Sequence, residues 1–585
     1  MSANSGNLLF NTVSYNVGSL LDQIDLGSVG LPDIQRPFVW KNAKIRDLLD
    51  SMYRGFPVGY LLFWQNDHAE GSRGIGVDGK QRHSSLLIVD GQQRLTSLYA
   101  VIRGKKVLRE DYSEEHIEIA FHPLDEKFEV ADAAIRKDKH WLPNISRLWS
   151  SDTDLFELVD EYLEGLRHTR ELSTDETRRC RQNIKRLQGL VNYPFQALEL
   201  LATASEEQVS HVFVRINSKG QRLNEADFIL TLMSVYWDEG RHDLERFSRA
   251  AKKSDKKPGP YNHFLQPAPD QLLRAAIGYG FKRGRLQYVY SLLRGKDLET
   301  GKFSEEHREA QFARLKEAQA GALNLQHWKD FLKCLMHAGF RSGKVITSET
   351  TVLYSYVFYL LGRAEYKISE SALRRTIARW FFFASLTGRY TNSPESALES
   401  DLIQLREVSD AAGFKARLDR NIEAQLTDDF WRVTLPSDLD SAAARSPSLM
   451  AYIAALCLLD AKVLFSRLSV SSLLDPTTDA YRNSLERHHL FPKDWLKKHG
   501  FPDVQKTNQI ANYALLEWPD NSDISAHSPA EYWPQFKNRY SAAEWRTIRY
   551  WHALPEQWET MKYEEFLKKR RGLIAKVVRD GFERI

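Results

Sequence analysis

The stretch SLLIVDGQQR at 85–94, continued by LTSLYAVIRG at 95–104, decides how the N-terminal fold reads. The apolar run at 86–89 ends at Asp90 and predicts a strand. Gly91 permits the positive φ of a tight turn. Gln92, Gln93 and Arg94 then open a helix. A helix N-terminus offers free backbone N–H groups and the positive end of the helix dipole, a place suited to an anion such as phosphate. Arg94 adds a planar bidentate donor. Gln92 and Gln93 could read a base or a sugar, and Asp90 could hold a metal or a ribose hydroxyl. An ordinary strand–turn–helix with solvated polar groups would show the same residues, and DGxxR alone does not separate the two readings.

The surrounding chain has 585 residues, enough for about three domains at roughly 100–200 residues each. Hydrophobic residues at 42%, charged at 27% and aromatic at 11% are globular values and exclude wholesale disorder. Cys180, Cys334 and Cys457 are too widely spaced for a CxxC pair, which argues against a cysteine zinc site or a disulfide scaffold and for a reducing compartment. The longest apolar run, 449–459, stops at Asp460, short of the roughly 20 residues a spanning helix needs. The opening MSANSGNLLFNTVS has no basic residue ahead of an apolar stretch, so no secretory signal is expected. These features predict a soluble, cytoplasmic protein without a membrane partner. The net charge is +4, and residues 481–585, with 18 Lys and Arg against 14 Asp and Glu, account for all of it. Within them, 561–585 hold 8 basic and 4 acidic residues. A phosphate-backbone contact is conceivable there, and a solvated helix face explains the charge as well.

Three zones follow from the patterning. Residues 1–240 mix short aromatic and β-branched runs (YLLFW at 60–64, SLLIV at 85–89, HVFVRI at 211–216) with helical stretches at 41–54 and 155–192. This predicts an α+β domain. The basic AKKSDKKPGPYN at 251–262 reads as an exposed loop or linker. Residues 241–475 carry helical spacing almost throughout, with segments such as LRRTIARWFFFASL apolar on more than one face, as in a buried bundle. No fixed-period repeat is present, which excludes a solenoid. Residues 476–585 form the third zone. TGRYTNSPESALESD at 387–401 invites a substrate role for Arg389 and Tyr390, but a helix–loop–helix with Pro394 as a helix-start residue explains it equally.

Two further segments accompany DGQQR. In PDIQRPFVWK at 32–41, Gln35 and Arg36 sit in an extended segment beside a proline and two aromatics. In VFVRINSKGQRLNEADF at 212–228, Arg215 and Asn217 end an expected strand and Gly220 closes a turn. The three segments together resemble the N-terminal domain of GmrSD-type, modification-dependent (type IV) restriction endonucleases, whose pattern is an IQRxxVW-like segment, DGQQRLTSL and VFxRINSxGxxLxxxDF. That resemblance implies a ParB/sulfiredoxin-like α+β fold that binds and hydrolyses a nucleoside triphosphate. The implied pocket is lined by Gln35, Arg36, Asp90, Gly91, Gln92, Gln93 and Arg94, with Arg215 and Asn217 as further members. There is no P-loop pattern, so the nucleotide would not be held by that route.

The third zone contains LERHHLFPKDWL at 485–496 and NQIANYALLEWPDNSDISAHSP at 508–529. A ββα-metal nuclease needs a His to activate water, donors for one divalent cation, and an Asn that holds the loop so that the His points correctly. The segment resembles HNH endonucleases and the C-terminal nuclease half of the GmrSD family. Carried over residue by residue, His489 is the general base, Asn512 the orienting residue, and His488 and Asn521 the metal ligands. His488 stands where Asp is usual; imidazole favours Mn²⁺, Ni²⁺ or Zn²⁺ over Mg²⁺, so the metal stays open. Asn521 is a neutral donor, and Asp523 or His527 could substitute.

The expected architecture is therefore a multidomain α+β chain: a ParB/sulfiredoxin-like domain, a central all-α helical region, and an HNH-like ββα-metal domain. The expected function is an NTP-dependent or NTP-regulated, metal-dependent endonuclease acting on modified phage DNA in antiviral defence, together with NTPase activity. One HNH site cuts one strand per visit, so a double-strand break would call for a homodimer or two events. Two rival readings stay open: an NTP-binding regulatory protein with a degenerate HNH-like segment, and a non-specific nuclease toxin.

Overall fold

The computed structural model describes residues 9–32, 38–65, 72–73, 85–109, 113–150, 152–201, 225–252, 258–297, 300–476, 486–517, 524 and 527–585. The expected strand at 211–216 lies outside them. The chain forms two compact units, Met1–Asp238 and Glu239–Ile585.

The first unit is built on a mixed sheet. Its strands are β1 (Phe10–Asn16), β2 (Val29–Pro32), β3 (Leu61–Gln65), β4 (Ser72–Arg73), β5 (Leu86–Asp90) and β6 (Pro194–Leu200), in the order β1-β6-β3-β5-β2-β4. The runs YLLFW and SLLIV are thus strands β3 and β5, paired antiparallel with a register shift between Leu62 and Phe63. β6 runs parallel to β3, with Ala197 opposite Leu61 and Leu200 opposite Trp64. Alternation along these strands sends Leu61, Phe63, Ile88, Phe195 and Ala197 into one large core. Leu62, Val89 and Leu200 form a smaller cluster on the opposite face, with Trp64 and Leu198 packed against it.

Helices α1 (Val17–Leu26), α2 (Asn42–Tyr53), α3 (Gln92–Ile102), α4 (Leu155–Arg167) and α5 (Thr174–Gln188) contribute to the larger core. The stretch expected to be helical over 155–192 is interrupted at 168–173. Ser173 starts a new helix there with a reciprocal capping box: its hydroxyl accepts from the Glu176 N–H, and the Glu176 carboxylate accepts from the Ser173 N–H.

The second unit is dominated by helices. Among them α6 (Glu349–Leu360), almost wholly buried, and α7 (Glu370–Leu386), buried from Thr376 onward apart from Arg379, are apolar on several faces, as their sequence anticipates. α8 (Pro394–Ile403) begins with Pro394 in its first turn. The polar stretch before it is held internally: Arg389 forms a bidentate pair with buried Asp401, and the Tyr390 hydroxyl donates to the same carboxylate at 2.8 Å. α9 (Pro447–Leu458) packs on the C-terminal helix so closely that a Cβ on Gly581 would meet the Ala455 Cβ at 2.6 Å. The Phe582 ring packs 5.6 Å from that of Phe382 of α7, tilted by 41°, so the terminal helix shares the core of the helical bundle. Cys180, Cys334 and Cys457 are all buried and unbridged. No helix among the described residues is long and apolar enough to cross a membrane.

Candidate functional site

In the first unit, β5 delivers Asp90 to the turn and Gly91 makes it at φ 97°. A Cβ there would lie 2.3 Å from Leu61 Cδ2, so space as well as conformation demands glycine. α3 follows, with Gly91 as its N-cap residue, which has no side chain to supply a cap bond. Two of the motif's polar residues, Gln93 and Arg94, are engaged by main-chain groups of the preceding segments. The Gln93 Oε1 accepts from the backbone N–H groups of Val39 and Trp40 at 3.0 and 3.3 Å. This ties the start of α3 to the end of the segment PDIQRPFVWK. The Arg94 guanidinium donates to the carbonyls of Val58 and Tyr60 at 2.7 and 2.8 Å and pairs with Asp90 at 3.3 Å. Burial lowers its pKa, with Asp90 opposing the shift. Arg94 therefore clasps the loop that leads into β3, and that loop exposes Phe56 and Tyr60. Gln35, Arg36, Arg215 and Asn217 lie outside the described residues. Asp90, Gly91, Gln92, Gln93 and Arg94 share one strand–helix junction by their place in the chain.

In the second unit, β7 (Glu486–His489) pairs antiparallel with β8 (Tyr513–Leu516), placing His488 opposite Ala514 and His489 opposite Tyr513. Consecutive strand residues point to opposite faces. His488 is 6% exposed, and His489 is half-buried with its ring 4.8 Å from that of Tyr513. Between the strands, Pro492 leads into a short helix, α10 (Lys493–Lys498).

Asn512, fully buried, holds this connection together. Its Oδ1 accepts from the Phe491 N–H at 2.9 Å, and its Nδ2 donates to the carbonyls of Phe491 and Thr507 at 3.0 and 3.1 Å. The Leu490 N–H donates to the Asn512 carbonyl at 2.8 Å. Asn512 thus pins the backbone immediately after His489 and does not reach the His489 ring itself.

The ring has a different partner. His489 Nε2 lies 2.9 Å from Asn508 Oδ1. Burial lowers the His489 pKa to about 4; the bond to Asn508 works against that shift, and the nearby charge of Lys493 adds to it. The imidazole is neutral at pH 7.

Two buried residues from later helices complete the support. Tyr532, in α11 (Pro529–Lys537), donates its hydroxyl to the Leu490 carbonyl at 2.6 Å. Arg570, in α12 (Tyr563–Glu583), is 0% exposed and donates to the Ala511 carbonyl at 2.7 Å and to the His552 carbonyl at 3.1 and 3.2 Å. Sequence reading missed Asn508, Tyr532 and Arg570. Only Asn508 left a trace, as a second asparagine four residues before Asn512.

A divalent cation is tested here by its donors. His488 offers one imidazole, Asn521 and Asp523 lie outside the described residues, and His527 is exposed with Nδ1 3.1 Å from the Ile524 carbonyl. Among the described residues no three His, Cys, Asp or Glu side chains gather as a cation would require. The described residues alone do not complete a ligand set.

Residues 17–234 match the family described as GmrSD restriction endonuclease, N-terminal domain. That span covers all three motif segments of the first unit. Over nearly the whole chain, an uncharacterized protein of Methanocaldococcus jannaschii is 21% identical across 560 residues, which is 89% of this chain and 87% of the relative.

Proposed function

We propose that the chain is a restriction endonuclease that hydrolyses phosphodiester bonds in modified phage DNA, with a nucleotide site in the first unit and the cutting site in the second. The observation that carries this reading is the match of residues 17–234 to a restriction-endonuclease domain. The arrangement around His489 supports the cutting step. A neutral, half-buried imidazole accepts a proton from water, the water oxygen attacks phosphorus, and the bond to the 3′ oxygen breaks. Asn512 acts as a positioning residue through the backbone. A divalent cation held by His488 and Asn521 would offset the charge that builds on the phosphate and the leaving oxygen.

The start of α3 after Gly91 supports the nucleotide site, since the dipole at a helix N-terminus favours phosphate. In this proposal Asp90, Gln92, Gln35 and Arg36 bind the nucleotide, with Arg215 and Asn217 as further members of the site. Gly91, Gln93 and Arg94 shape the site by holding the turn, the 38–40 segment and the loop at Val58 and Tyr60. NTP hydrolysis there would gate the cut.

The test incubates the full chain with plain and with hydroxymethylated or glucosylated phage DNA. Mg²⁺ or Mn²⁺ is supplied, with and without mixed NTPs, and His489→Ala serves as control. Cleavage confined to modified DNA and abolished in the variant is the expected result. Equal cleavage of both DNAs would replace the reading with a non-specific nuclease. NTP turnover without any cleavage would replace it with a nucleotide-binding regulator.

A further inference from the structure

We infer that Asn508 is the positioning residue of the His489 ring, fixing its proton on Nε2 and presenting Nδ1 as the atom that takes the proton from water. The inference rests on the reading of His489 as general base and extends it to a residue and an atom. An amide oxygen can only accept a hydrogen bond. With Asn508 Oδ1 at 2.9 Å from Nε2, the ring nitrogen must donate. In a neutral imidazole one nitrogen carries the proton and the other the lone pair. The bond therefore selects the Nε2–H tautomer and leaves the lone pair on Nδ1.

The two asparagines of NQIAN divide one task. Asn512, fully buried, spends its oxygen and nitrogen on main-chain groups of Phe491 and Thr507. It fixes where the strand end lies. Asn508 follows the one-turn helix Val504–Thr507 and reaches across to the ring. It fixes how the ring is turned and which nitrogen is basic. The Tyr513 ring, tilted 56° to the imidazole, limits the ring's swing on the β8 side.

The experiment compares Asn508→Ala and Asn508→Asp with wild type in the full chain, labelled with ¹⁵N-histidine and held well above the imidazole pKa. A His489→Gln sample assigns the His489 signals. Ring ¹⁵N shifts report the tautomer whether or not the protein cuts DNA. Wild type is expected to show a protonated Nε2 and a bare Nδ1. Asn508→Asp keeps the accepting oxygen and should keep that pattern, while Asn508→Ala should shift towards a mixture of tautomers. With DNA containing hydroxymethylcytosine as substrate, Asn508→Ala should lose cleavage rate about 10-fold or more at unchanged DNA affinity, and Asn508→Asp should recover part of it. A proton found on Nδ1 in wild type, or ring signals unchanged in Asn508→Ala, would overturn the inference. If no variant cuts DNA but the ring signals behave as stated, the assignment of Asn508 stands and the nuclease reading fails.

Discussion

At the scale of single residues, buried polar groups decide most of the behaviour near the candidate cutting site. His552 is 1% exposed, and its Nε2 lies 2.8 Å from the Lys462 carbonyl. Burial, reinforced by the charge of Arg570, brings its pKa from 6.5 to about 4, with the Lys462 bond opposing. Below pH 6.5 the unfolded chain takes up a proton at this position and the folded chain does not. Stability is therefore lost as pH falls from about 6.5 to about 4, by at most about 3 kcal/mol at 1.36 kcal/mol per unit. Calorimetric melting across that window should show the loss, and His552→Gln, which can still donate to Lys462, should flatten it. Gly91 makes a separate demand. Gly91→Ala combines a left-handed φ with an overlap against Leu61, and a loss of about 3 kcal/mol is expected in urea unfolding of the first unit. An unchanged midpoint would remove the steric account of that turn.

At the scale of elements, α12 acts as a strut. Its Arg570 is a fully buried cation whose hydrogen bonds run to main-chain carbonyls of Ala511 and His552, and among the described residues it has no ion pair. Burying a charge in this way is costly, and the gain is a fixed backbone on each side of the terminal helix. Arg570→Ala would strand two carbonyls and open a cavity. A loss above about 3 kcal/mol in the second unit is expected, read by the same calorimetry. The elements themselves were legible where the signal was local. Gly91 between an apolar run and an amphipathic one gave β5 and α3, and Pro394 gave the start of α8. Pro492, soon after two adjacent histidines, leads into the short helix α10. What escaped was contact between distant positions. Nothing in periodicity tells that Arg94 will be taken up by carbonyls 34 and 36 residues earlier, or that the ring of His489 will meet Asn508 rather than Asn512. The break inside 155–192 was legible in hindsight, because Ser173 and Glu176 carry the capping-box spacing.

At the scale of the whole molecule, each unit has a core of its own. The fragment 1–238 is expected to unfold cooperatively by itself, and Gly91→Ala should lower its melting temperature, whereas Arg570→Ala should leave the first unit's transition in place. A fragment of residues 476–585 should fare worse. Its terminal helix leans on Ala455 through Gly581 and on Phe382 through Phe582, so cutting it from the bundle would expose that face to water. Limited proteolysis of the two fragments would distinguish a resistant first unit from a labile terminal piece.

The three cysteines offer a practical handle. With Cys180 in the first unit and Cys334 and Cys457 in the second, all sealed inside, the native protein presents no natural thiol to a maleimide dye. A cysteine placed at exposed Lys568 would take the label alone. Energy transfer from that single fluorophore to a dye on DNA could then test the proposed binding of DNA, without first removing any native side chain.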